Sequence, residues 1–330
     1  MLDYKNVIKE TNAYNIVNLD ISENRISHAY LFVSQDDNFL SSFIKKISID
    51  LININETENI DKNILRINNN TFPDVKIYGQ DKASQINVEV VSEILENAQV
   101  RPFEADKKVF VLLNVQNMNE ASQNKILKLI EEPPKNTYFL MGASGVSRIL
   151  QTILSRVKQI KLDEISNDKI TNLLTEKGIS LNNAQIFANC SNGNSTFAEN
   201  LASNDGFIDF FDKVVSCFFD IKGSKDVLKY SSIFTAKTVD KNDFFDIAIL
   251  ISRDLSMILA GKSELVVCKN VLTKLKVISS SLNLSAVATL ISTCLESKKD
   301  LIFNANQTAV IDNFLFKLAE VKVKCRRLLV

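Results

Sequence analysis

The sequence predicts an α/β domain built on a parallel sheet, followed by helices alone to the C-terminus. Two observations carry that expectation. From about Arg25 to Leu162, short apolar runs alternate with segments whose apolar residues recur at helical spacing, the pattern of strand–helix units. From about Asp205 onward the strand-like runs disappear and the helical period takes over. A chain of 330 residues has room for two or three domains and a sizeable core.

Residues 29–33, 74–78, 109–114, 137–143 and 159–162 read as strands. Between them, 39–54 reads as a helix, and 88–100 places Val90, Val91, Ile94, Leu95 and Ala98 at helical spacing. Residues 53–70 are polar and Asn-rich, a variable loop or a weak helix. An amphipathic helix starting near Asn119 stops at Pro133-Pro134, and a short apolar helix leads into Ser155-Arg156. Next come 165–177, closed by Gly178 at a C-cap position, then 182–190 before the turn Ser191-Asn192-Gly193-Asn194, then 195–201. Later helices are expected over 207–219, 243–259, 265–282, 285–298 and 307–328. The last presents Val310, Phe314, Leu315, Leu318 and Val321 on one face. The expected division is an α/β domain at 1–162, a small helical domain at 163–204 and a helical domain at 205–330.

Composition narrows the function. A hydrophobic fraction of 45% with 24% charged residues belongs to an ordinary globular protein. Lys plus Arg and Asp plus Glu are equal at 39 each, so no global field draws the chain to nucleic acid or to a membrane. Any DNA contact must be local or shared with partners. The N-terminus lacks the basic-then-apolar order of a signal peptide, and no apolar run approaches the roughly 18 residues of a span. Cys190, Cys217, Cys268, Cys294 and Cys325 are odd in number and scattered, which fits buried thiols in a reducing cytoplasm. A cytoplasmic location with no membrane partner is therefore expected. His28, the only histidine, cannot build a metal site or a triad alone and reads as a packed or capping residue.

Four patches carry a family resemblance. They are His28-Ala29-Tyr30-Leu31-Phe32; the helix from Asn119 to Pro134, with Ala121, Gln123-Asn124, Leu127-Lys128 and Glu131-Glu132-Pro133-Pro134; Thr152-Ile153-Leu154-Ser155-Arg156-Val157; and Asn304-Ala305-Asn306-Gln307. Together they resemble bacterial clamp-loader subunits of the AAA+ class, most of all the delta-prime family of DNA polymerase III. The Glu-Glu-Pro-Pro helix followed by Ser-Arg is the specific part. The resemblance implies an AAA+ (RecA-like) parallel-sheet domain, a small helical lid and an all-helical C-terminal collar that holds subunits together.

In that family the first strand leads into a phosphate loop, which needs glycines, a lysine and a Ser/Thr. Here the strand is followed by Ser34, Gln35, Asp36, Asp37, Asn38, Phe39, Leu40 and Ser41. The glycines are absent, Leu40 stands at the lysine position, and Asp36 and Asp37 place negative charge where an anion would sit. The next acidic element is lost as well: Asn114-Val115 ends the strand where the family's ATPases hold magnesium. No basic residue occurs between Gly193 and Ala198, where active members carry one in the third lid helix. The resemblance therefore implies no cofactor and no intrinsic ATPase. It makes Arg156, supported by Ser155, an arginine finger acting on a neighbour's nucleotide. Val157 replaces a family cysteine and reads as packing. Many delta-prime subunits carry a four-cysteine zinc module, but residues 51–70 hold no cysteine, so no metal is expected. The implied role is a non-hydrolysing stator of the DNA polymerase III holoenzyme. Its partners would be clamp-loader ATPase subunits and the delta subunit, with the sliding clamp and primed DNA reached through the complex. Two alternatives are an ATPase motor of the gamma/tau type and a subunit that itself opens the clamp or binds DNA.

Overall fold

The computed structural model describes residues 2–54, 59–80, 85–237 and 239–328, without the side chains of residue 224 and residues 326–328. The chain begins with α1 (Lys5–Lys9) and α2 (Asn12–Ser22). It then runs through β1 (Ala29–Val33), α3 (Asp37–Ile52), α4 (Ile60–Asn68), β2 (Val75–Tyr78), α5 (Val88–Gln99) and β3 (Lys108–Leu112). Next follow α6 (Glu120–Glu131), β4 (Thr137–Ala143), α7 (Gln151–Leu154) and β5 (Lys158–Lys161). The remainder is helical: α8 (Asn167–Glu176), α9 (Leu181–Cys190), α10 (Ser195–Ala202), α11 (Phe207–Asp220), α12 (Ser224–Phe234), α13 (Lys241–Leu259), α14 (Leu272–Ser279), α15 (Leu284–Ile302) and α16 (Gln307–Leu328). Two units divide the chain: Met1–Ser166 with Asn194–Thr196, and Asn167–Gly193 with Phe197–Val330.

The first unit holds a five-stranded sheet in the order β2-β3-β4-β1-β5, with every neighbouring pair parallel. Helices cover both faces of the central strands β1, β3 and β4, which is why these read as nearly continuous apolar runs. The edge strands β2 and β5 instead carry Lys76, Lys158, Gln159 and Lys161. Leu31, Phe110, Leu112, Phe139 and Met141 enter a cluster with Val91 and Ile94 of α5 and Ile126, Leu129 and Ile130 of α6. On the other face Phe32 meets Phe43 of α3, ring centroids 5.2 Å apart. α3 lies so close to β4 that a Cβ on Gly142 would stand 2.8 Å from the Ile44 Cδ1. The order of strands reverses at β1, so the carboxyl end of β1 is the place where open α/β sheets hold ligands.

The second unit packs around aromatic rings. Phe244 lies 4.7 Å from Phe234, 5.1 Å from Phe245 and 5.6 Å from Phe314, centroid to centroid. Lys322, buried in α16, donates to the carbonyls of Phe218 and Ile221 and so serves the C-terminus of α11. All five cysteines are free and buried, as their scatter suggested. Among the described residues no single helix is long and apolar enough to cross a membrane.

Several boundaries differ from the sequence reading for local reasons. The predicted helix over 265–282 is α-helical only in α14, because the Asp254 carboxylate accepts from the Val267 and Cys268 amides and draws them out of a helical ladder. The strand expected to reach Asn114 ends at Leu112, and Asn114 turns into the left-handed region at φ 57°. Asp74 precedes β2 instead of joining it, its carboxylate accepting from the amides of Phe103, Glu104 and Ala105. Of the Asn-rich segment, 60–68 is helical and 55–58 lies outside the described residues. α1, α2 and α12 had no counterpart in the sequence reading. α2 is tied to the sheet through Asp20, which accepts from the Tyr30 hydroxyl at 2.8 Å and from Lys158 at 2.5 Å.

Two stability predictions follow from the helical unit. Phe244→Ala should cost about 3–5 kcal/mol, read as a lowered urea midpoint of the transition that reports α13. Asp243, on α13, has its carboxyl pushed up to about 6, first by burial and then by the charges of Asp240 and Asp246. An unfolded aspartate titrates near about 4, so the folded chain holds the extra proton between those values and stability falls as pH rises through that window. Asp243→Asn should raise the melting temperature at pH 7 relative to wild type, with little difference at pH 4. An equal shift at both values would remove the linkage.

Candidate functional site

At the carboxyl end of β1, the turn Ser34-Gln35-Asp36 feeds α3. Asp36 is the N-cap: its Oδ1 accepts from the Phe39 amide at 3.1 Å, as a cap carboxylate does. The same side chain collects four further donors from the start of α10. Oδ2 accepts from the Ser195 amide at 2.6 Å and the Ser195 hydroxyl at 2.5 Å. Oδ1 accepts from the Thr196 hydroxyl at 2.6 Å and the Thr196 amide at 3.3 Å. The Thr196 Oγ1 in turn accepts from the Asn38 amide at 2.9 Å, Asn194 donates to the Gln35 carbonyl, and the Tyr4 hydroxyl lies 2.8 Å from Ser195 Oγ. Asp36 is only 4% exposed.

The consequences for anion binding are direct. A helix N-terminus holds phosphate through amides with no intrahelical partner. Here the amides of Asn38 and Phe39 are occupied by the chain itself. Phe39 and Leu40 are buried, and Leu40 packs beside Gly142. Asp37 is exposed, while Ser34 and Ser41 are partly buried. At the neighbouring strand end, Asn114 donates through Nδ2 to the Gly79 carbonyl at 3.0 Å. Gly79 has φ 74° and admits no Cβ, since one would fall 2.3 Å from the Leu113 carbonyl oxygen. Asn114 thus closes β2 against β3, and its side chain carries no charge with which to hold a cation.

Arg156 sits apart from these groups, two residues beyond α7. Its Nε lies 2.8 Å from Glu131 Oε1, and its Nη1 donates to the Thr152 carbonyl at 3.0 Å and to Ser155 Oγ at 3.2 Å. The Ser155 hydroxyl itself donates to Thr152 O at 3.1 Å, so Ser155 orients the arginine and is not poised as a nucleophile. The guanidinium remains accessible, the Arg156 side chain being 41% exposed. Ile153 and Val157, on either side of the Ser-Arg pair, anchor it in the core. Buried Gln123 fixes the approach: Nε2 donates to the Met118 and Arg148 carbonyls, and Oε1 accepts from the Leu150 amide at 2.8 Å. His28, at the start of β1, places its Nε2 2.7 Å from the Ile130 carbonyl and so steadies the end of α6.

A family profile described as "DNA polymerase III, delta subunit" matches residues 9–166. The delta-prime subunit of DNA polymerase III from Bacillus subtilis is 25% identical over 309 residues, 91% of this chain and 93% of that one. Over most of its length the chain is thus similar to a delta-prime subunit of DNA polymerase III. Its fold is a five-stranded parallel-sheet domain followed by helices alone. A DNA polymerase III gamma/tau subunit from Mycoplasma pneumoniae is 30% identical over 159 residues, which covers 47% of this chain and 23% of that protein. Among solved structures, a DNA polymerase III gamma subunit-related protein from Thermotoga maritima has 15% identity and a TM-score of 0.39, over 94% of this chain and 99% of that one.

The sequence reading singled out Arg156 and the turn after β1 but not the residues that contact or position them. Glu131 was read as the helix end, Gln123 as part of a motif without a contact, and Ser195-Thr196 as lid residues lacking a base. Only Asp36 carried a local signal, an acidic N-cap before a helix. Removing its carboxylate by Asp36→Ala strands several buried donors, each worth roughly 1–3 kcal/mol. The variant should lose about 3 kcal/mol or more of stability in urea unfolding, and Asp36→Asn less. A neutral result for Asp36→Ala would show that the bonds to Ser195 and Thr196 do not hold in solution.

Proposed function

We propose that this chain is the delta-prime-type, non-hydrolysing subunit of a bacterial clamp loader. It lends Arg156 to ATP bound by an adjacent ATPase subunit and acts as the stator against which the complex works. Residues 163–204 serve as its lid and 205–330 as its collar, through which it joins the ATPase and delta subunits in the cytoplasm. The sliding clamp and primed DNA are engaged by the assembled complex. The observation that carries this reading is the Asp36 carboxylate lying on the donors at the end of β1: with those amides spent, the turn offers no phosphate cradle. Exposed Arg156 supports the complementary half, because a planar, permanently charged fork suits a transferring phosphoryl group.

The test is ATP hydrolysis measured for this chain alone, for its ATPase partner alone, and for the reconstituted complex with clamp and primed DNA. The chain alone should be inactive. Arg156→Ala should leave assembly intact while slowing the site it serves about a thousand-fold, the scale of an arginine finger. Total turnover then falls by that site's share, and clamp loading falls with it. Arg156→Lys should not restore the rate, since it keeps the charge without the fork. Hydrolysis by the isolated chain would instead favour an ATPase motor, and unchanged rates with Arg156→Ala would remove the finger.

A further inference from the structure

Arginine has five N–H groups, and the contacts of Arg156 run through Nε and Nη1. Nε lies 2.8 Å from Glu131 Oε1 in an ion pair, and Nη1 donates to Thr152 O and Ser155 Oγ. Nη2 has no hydrogen-bond partner among the described residues. Glu131 is the last residue of α6, and its side chain is 45% exposed. A solvated pair of this kind adds little to folding stability. What it does is restrict a long side chain that otherwise samples many rotamers.

We propose that Glu131 is a positioning residue for Arg156. Its carboxylate holds the Nε edge, Thr152 and Ser155 hold Nη1, and Nη2 is left directed at the anionic group the arginine serves. The inference rests on the reading of Arg156 as a finger. The negative charge of Glu131 partly offsets the cation's field, so the benefit is geometric, and a neutral hydrogen-bond acceptor in the same place should serve. That separates glutamine from alanine at this position.

The experiment compares wild type, Glu131→Ala, Glu131→Gln, Arg156→Ala and the Glu131→Ala/Arg156→Ala pair in the reconstituted complex, reading kcat and KM for ATP after assembly is checked by gel filtration. Loss of orientation alone should lower kcat of Glu131→Ala about five- to tenfold, with KM for ATP within about twofold of wild type. Glu131→Gln should stay close to wild type, and the double variant should fall no further than Arg156→Ala. If Arg156→Ala is slow while Glu131→Ala is unchanged or faster, positioning is overturned and the finger survives. If Glu131→Gln is as slow as Glu131→Ala, positioning through an acceptor is likewise overturned. If Arg156→Ala itself has no effect, the finger reading fails and this inference fails with it.

Discussion

One buried carboxylate organises the region where a parallel sheet would otherwise hold a ligand. Asp36 gathers donors from the first turn of α3 and from Ser195, 159 residues further along the chain. A carboxylate in a dry setting needs several hydrogen bonds to offset its desolvation, and it has five here. Those same bonds consume the donors that would otherwise attract a phosphate. The residue that reads in the sequence as an electrostatic obstacle is thus also the occupant of the site.

The arginine-bearing edge is built by different means. α6 provides both the wall behind Arg156 and, through Gln123, the bracket for the segment that leads to it. His28 binds the carbonyl of Ile130, one residue before Glu131, so the first strand helps set where α6 stops. Pro133 and Pro134 then prevent the helix from running on. Arg156 is consequently exposed at its tip and rigidly supported at its base.

Much of this was legible from residues alone. The central runs became β1, β3 and β4 because strands covered on both faces leave few polar positions to blur the pattern, and edge strand β2 was legible despite Lys76. Ser155-Arg156 stood out through its neighbours Ile153 and Val157, whose apolar character reflects real burial. What stayed hidden depended on side chains meeting across long intervals. Nothing periodic links Asp36 to Thr196, and whether Glu131 or Glu132 faces Arg156 depends on the helical phase at the last turn. Likewise the helix expected through 265–282 failed at Val267 and Cys268, where a distant aspartate outcompeted the backbone ladder. α1 and α2 escaped notice because α1 is a single short turn and α2 buries only Ala13 and Val17, its attachment resting on polar contacts such as Asp20 with Tyr30.

The burial of all five thiols has a practical consequence. Burial pushes the thiols of Cys190, Cys217, Cys268 and Cys294 up, so the nucleophilic thiolate is scarce as well as inaccessible. The folded wild-type chain should therefore be silent to maleimide dyes. A single cysteine introduced on the exposed surface near Arg156 would be the one reactive handle on an otherwise native protein. A fluorophore there would report the approach of a neighbouring subunit without first stripping the natural cysteines from the core.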